Sequence, residues 1–180
     1  MRDVTPQNKS QVNVKEIVEY LMDFVKNPVQ QIKQLPDWNW SSLFLLHVVL
    51  AVFSGVLAGL LKFNFYRVAA GLFLMPIIST VAALLMAMFL YYFFQFFEGK
   101  TVEFRKLFTL VVLSSIPFYL FQILSEYFSF ISIVGFGMSS VLGVVGLCEN
   151  FYLHRKRAYV VVGSVFVLVL LTWISNQFIS

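Results

Sequence analysis

The sequence predicts an all-α, polytopic integral membrane protein: a bundle of five transmembrane helices preceded by an amphipathic helical segment lying on the cytoplasmic leaflet. Three observations carry that expectation. Of the 180 residues, 59% are hydrophobic and 12% are charged, with a mean hydropathy of +0.82, whereas a soluble domain carries about 25% charged residues. So few polar groups cannot cover a folded chain in water. Five apolar runs, at residues 41–61, 71–97, 107–124, 130–150 and 158–176, are long enough to cross a membrane, since a hydrocarbon core of roughly 30 Å takes about 20 helical residues. Lipid offers the backbone no hydrogen-bond partners, and continuous apolarity without period-two alternation selects helices over barrel strands. Finally, the basic residues collect in alternate connections.

Residues 1–12 are polar and are expected to form a disordered cytoplasmic tail. They contain no compact apolar region followed by a small-residue cleavage site, so the first true span is expected to act as an uncleaved insertion signal.

Residues 13–40 read as amphipathic. Val14, Ile17, Val18, Leu21, Val25, Val29 and Ile32 recur at helical spacing, while Lys15, Glu16, Glu19, Asp23 and Lys26 lie largely off that stripe. Asn27 followed by Pro28 predicts a break and restart, because Asn caps helices and Pro is tolerated at the first helical position. Two short interfacial helices are expected, with Trp38 and Trp40 anchoring the start of the first span at headgroup depth. The rival reading is a helix that docks on a soluble partner.

Residues 41–180 form the membrane domain in this reading. In the first span Ala51, Gly55 and Gly59 recur every fourth residue, and in the fourth Gly135, Ser139 and Gly143 do so. Small residues at that spacing let helix backbones approach closely, within one bundle or across a dimer. Pro76 sits near the outer end of the second span and is expected to mark a helix start. Pro117, near the middle of the third, removes a backbone donor and predicts a kink, with Ser114 or Ser115 satisfying the freed carbonyls.

Orientation follows from the 13 Lys and Arg. Arg2, Lys9, Lys15, Lys26 and Lys33, then Lys100, Arg105 and Lys106, then Arg155, Lys156 and Arg157 fall on one side, leaving only Lys62 and Arg67 on the other. Cytoplasmic loops retain basic residues, so the N-terminus is expected inside and the C-terminus outside. The stretch "HRKR" is then a cytoplasmic loop that fixes the turn between the fourth and fifth spans. The net charge of +4 lies almost wholly in these connectors, which argues against a nucleic-acid footprint.

Candidate chemistry inside the spans is sparse. His47 lies about two turns into the first span and reads as a packing residue rather than a metal ligand or acid-base group. Glu149, at the cytoplasmic end of the fourth span, reads as an ion-pair partner of Lys106 or Arg155, or as a recognition residue. Catalytic signatures such as HExxH, GxSxG and a phosphate-cradling glycine loop are absent, and nothing places Ser114 beside His47. A lone cysteine, Cys148, excludes an intramolecular disulfide. Neither an enzyme nor a bound cofactor or metal is expected.

Three stretches, "FVKNPVQQIKQL", "GKTVEFRKLFTLVVLSSIPFYL" and "GLCENFYLHRKRAYVVV", give the chain a likeness from about Val18 onward. It resembles the Yip-domain membrane proteins, named for eukaryotic members that interact with Ypt/Rab GTPases. The eukaryotic "DLYGP" stretch is missing, which points to the prokaryotic branch, and so to a bacterial cytoplasmic membrane, and away from direct small-GTPase binding. Membership implies a non-enzymatic membrane protein that associates with itself or with other membrane proteins. The expected function is therefore a scaffold whose cytoplasmic face contacts other integral membrane proteins and anionic phospholipid headgroups. Its candidate contact residues are Asn27, Pro28, Trp38, Trp40, Lys100, Arg105, Lys106, Glu149, Arg155, Lys156 and Arg157. The alternative is a small transporter, channel or lipid-handling component.

Overall fold

The computed structural model describes residues 14–125, 127–128 and 130–179, with side chains to residue 175. The expected tail at residues 1–12 lies outside the described residues. Among those described there are eight helices and no strand. Helix α1 (Val14–Lys26) and the single turn α2 (Pro28–Gln31) precede α3 (Trp40–Leu61), α4 (Phe65–Phe97), α5 (Phe104–Ser114), α6 (Ile116–Ser125), α7 (Ile131–Phe151) and α8 (Arg155–Ile179). With α5 and α6 together forming one span, five helical segments are long and apolar enough to cross a membrane.

Local chemistry sets the helix ends. The Asn39 side chain accepts a hydrogen bond from the Ser42 amide at 2.8 Å, and Asn64 accepts from the Arg67 amide at 3.1 Å. Each satisfies a donor that the first helical turn leaves free. Because Asn64 caps it, α4 starts six residues before the expected span and runs for 33 residues, about 50 Å at 1.5 Å per residue. Pro76 therefore lies inside α4 instead of starting it, and its carbonyl accepts from the Ser79 and Thr80 hydroxyls.

The third span does break at Pro117. Helix α5 ends at Ser114, and α6 restarts at Ile116 with Pro117 in its first turn. The serines act differently from the expectation, because both the Ser114 and Ser115 hydroxyls donate to the Val111 carbonyl, at 3.1 and 2.7 Å. It is a freed donor that a neighbouring helix satisfies: the Phe118 amide donates to Ser139 Oγ of α7 at 3.1 Å.

Helix α5 is the hub. Its residues 107–113 are all buried, enclosed by α3, α4, α6 and α7. Helices α3 and α4 pair most intimately, through glycines: a Cβ on Gly55 would stand 2.7 Å from Gly71 Cα, and one on Gly59 2.6 Å from the Val68 nitrogen. A Cβ on Gly135 would meet Phe121 of α6 at 2.6 Å. Gly143 faces α8 more loosely, with Val162 4.0 Å from its Cβ position. Across α3 and α6, Ser54 donates to the Tyr119 carbonyl at 2.8 Å. Helix α8 packs its backbone against α7, and among the described residues no Cα of α4 comes within 8 Å of one in α8.

Candidate functional site

Helices α1 and α2 and the two connections at residues 98–103 and 152–154 gather at one end of the bundle, which carries most of the basic residues. At this basic end, polar chemistry is used first to lock the lead-in segment onto the spans. Arg105, in the first turn of α5, donates to Asp37 at 2.7 Å, to Glu103 at 2.9 Å and to the Trp38 carbonyl at 3.2 Å. Asn150, at the end of α7, donates to the Ile32 carbonyl at 2.9 Å and accepts from the Leu35 amide at 3.2 Å. One guanidinium and one carboxamide thus hold residues 32–38 against α5 and α7.

The apolar side of that lock corrects the reading of Trp38. Its ring is 6% exposed and packs edge-on against Tyr20 at 5.0 Å, so it is an internal wedge and no headgroup anchor. Trp40 remains half-exposed, its ring against Phe44, Phe104 and Phe108. The stripe along α1 divides in the same way. Ile17, Phe24 and, beyond the helix, Ile32 are buried, while Val14, Val18, Met22, Val25 and Val29 stay exposed. Tyr20 donates to the Gln31 carbonyl at 3.2 Å, and burial pushes its phenol up from 10.0 to about 12. Asn27 stands at the N-cap of α2 with no capping hydrogen bond from its side chain, and Pro28 follows at the first helical position.

Two further corrections concern the basic stretch. Arg155, Lys156 and Arg157 form the first turn of α8, and the connection before them shrinks to residues 152–154. Tyr152 makes this tight turn by adopting a left-handed conformation, φ 52°, and Lys100 donates to its carbonyl at 3.3 Å. Arg157 pairs with Glu98 at the end of α4, N to O 2.5 Å, with the Glu98 side chain only 10% exposed. Glu149 is exposed and forms no ion pair with Lys106 or Arg155; it points away from the bundle, and the adjacent Asn150 makes the structural contacts. Lys106 approaches Glu103 at 3.9 Å. Among the predicted contact residues, Asn27, Glu149, Arg155 and Lys156 are exposed and make no ion pair with another described residue, whereas Arg105, Arg157 and Lys100 are engaged within the fold.

A second feature lies inside the spans. A cavity of about 430 Å³ opens between α4 and the α7–α8 pair, floored by the broken third span. His47, Ser79, Ser115, Tyr119, Ser139 and Ser140 contribute its polar lining. His47 is 1% exposed and its Nε2 lies 3.5 Å from the Tyr119 hydroxyl. Its Nδ1 has no hydrogen-bond partner of good geometry, although the Ser79 backbone lies beside the ring. Nothing in the sequence places Ser114 beside His47; the fold sets both on this cavity, yet Ser114 donates to Val111 and is not oriented by the imidazole. Among the described residues no three His, Cys, Asp or Glu side chains gather to hold a metal ion.

Of the residues that carry the polar contacts of these two regions, Arg105, Arg157, Lys100 and Ser139 stand out in the sequence, whereas Asn150 and Glu98 do not. An Asn or Glu at a span end gives no periodic signal, because its partner is on another helix. The family profile described as the Yip1 domain matches residues 22–175. No curated protein and no solved structure matches the chain significantly.

Proposed function

The chain belongs to the Yip1-domain family, and on that premise we propose that it is a non-enzymatic membrane scaffold or accessory subunit. Its basic end faces the cytoplasm and docks other integral membrane proteins, or a second copy, together with anionic phospholipid headgroups. In this reading the N-terminus is cytoplasmic, the C-terminus lies outside, and the membrane is the bacterial inner membrane. Direct binding of a small GTPase is not part of the reading.

One observation supports it above the others. At the basic end the fold consumes Arg105, Arg157, Lys100 and Asn150 internally, yet leaves the outer edge of α1 apolar and exposed and, among the described residues, leaves Arg155 and Lys156 without a carboxylate partner. An apolar helix edge with unneutralised cations on the same end suits a surface that meets a membrane or a membrane-bound partner.

Purification in mild detergent tests the proposal. A stable companion protein is expected, and Arg155→Gln with Lys156→Gln should release it. Each basic residue near an anionic leaflet contributes about 1 kcal/mol, so the double substitution should also weaken binding to phosphatidylglycerol vesicles by roughly 30-fold. A lone oligomer that moves ions or lipid in liposomes, with no companion, would overturn the scaffold reading. The second reading, a lipid-handling component, is favoured by the cavity between α4 and α8.

A further inference from the structure

We propose that the groove between α4 and α8 is a binding site for one anionic phospholipid, its phosphate at Lys156 and Arg157 and one acyl chain laid along the apolar cavity toward His47. The site deepens the phospholipid contact proposed for the basic end and rests on that part of the reading alone, since it needs no partner protein.

The first observation is continuity. At the basic end a recess of about 310 Å³ is lined by Phe93, Phe97, Glu98, Lys156, Arg157 and Val160. Val161 lines both this recess and the 430 Å³ cavity below it. The two lie end to end along α8, whose lining residues reach at least as far as Val169, about 20 Å from Lys156 at 1.5 Å per residue. Half of a hydrocarbon core is about 15 Å, so the groove reaches from headgroup depth into the middle of the membrane.

Charge is matched to depth. Glu98, the one carboxylate lining the recess, is neutralised by Arg157. Lys156 is exposed, with no ion pair among the described residues. The mouth is thus net positive where a phosphate would lie, and the guanidinium keeps further N–H donors beyond the one given to Glu98.

Below the mouth the walls are mostly apolar, with His47 and Tyr119 the polar side chains besides the serines. Ser79, Ser114, Ser115 and Ser140 each donate to a carbonyl of their own helix, and Ser139 accepts from the Phe118 amide. Hydroxyls satisfied in this way leave methylene and aromatic surface facing the space, which suits a hydrocarbon chain. The cavity of about 430 Å³ falls within the range of roughly 300–1,000 Å³ usual for small-ligand sites.

The test uses the full chain reconstituted in phosphatidylcholine vesicles with a trace of phosphatidylglycerol carrying a photoactivatable acyl chain. Expected are crosslinks concentrated on groove residues such as Met86, Phe136 and Val165, at least tenfold above those on the outward residues Leu72 and Leu74. Gly143→Leu places a side chain in the cavity where only Val162 stands near the Cβ position, and it should abolish the groove crosslinks. Ser140→Leu repeats the blockade from a neighbouring position in case the first variant misfolds, and elution as a single folded species qualifies either. Lys156→Glu should lower labelling by phosphatidylglycerol at least fivefold and lower labelling by a phosphatidylcholine probe, whose choline offsets the same phosphate, by less. Crosslinks spread evenly around the bundle and indifferent to both leucine variants would overturn the chain site. Equal labelling by the two headgroups would overturn the selectivity for a net anionic headgroup, and crosslinks joining two copies of the protein would show a protein occupant instead.

Discussion

Replacing Asn150 with alanine should detach the lead-in segment without unfolding the spans. The carboxamide donates to the Ile32 carbonyl at 2.9 Å and accepts from the Leu35 amide at 3.2 Å, and its remaining bond, to the Gly146 carbonyl, stays within α7. Only the first two cross between elements. At a net value of about 1 kcal/mol for each, their loss favours local opening of residues 32–38 by about 2 kcal/mol. Since 1.4 kcal/mol is tenfold in an equilibrium constant, amides there should exchange with solvent roughly 30-fold faster. The global stability of the bundle should change little, because none of the hydrogen bonds of the substituted group runs to α5. Hydrogen exchange read by mass spectrometry, comparing a peptide over residues 28–40 with one over residues 104–114, measures both quantities. Glu149→Gln serves as the control, as the adjacent carboxylate forms no ion pair. Less than threefold acceleration at residues 28–40, or equal acceleration in α5, would refute the strap. So would an equal effect from the Glu149 control.

Two other perturbations read the same geometry. Gly71→Leu should prevent α4 from seating on α3, because a side chain there meets the Gly55 backbone, which cannot move aside; loss of the monodisperse folded species in detergent is expected, and a normal elution profile would refute the close approach. Tyr20→Phe tests the buried phenol. With its folded-state value raised from 10.0 to about 12, the group stays neutral in the fold after it has ionised in the unfolded chain, so stability should decline between pH 10 and pH 12. Thermal melts of the phenylalanine variant should lose that part of the decline, and an unaltered profile would show that Tyr20 is not its source.

Much of the architecture was legible in the sequence because crossing a membrane imposes rules that act locally. Five runs could be counted from apolarity alone, and the Yip-domain likeness read from three stretches agrees with a family match over residues 22–175. The Pro117 break was visible too, since a missing amide is a property of one residue. Less legible were the span ends. The "FYRVAA" that begins α4 and the "RKR" that begins α8 read as connectors on charge, yet both are helical, because capping geometry rather than hydropathy decides where a helix starts.

Residue type and its periodicity determined that this chain is helical, that it spans a membrane five times, and which turns carry the positive charge; each of these follows from the transfer free energy of short segments taken one at a time. Tertiary structure alone decided which side chains are spent inside. It turned Trp38 from an anchor into a buried wedge, gave Arg105 and Asn150 the task of holding residues 32–38, set Arg157 on Glu98, and left α4 and α8 apart with a cavity between them. The physical reason is range: burial and hydrogen bonding between helices depend on distances between residues far apart in the chain, and no local pattern encodes those distances.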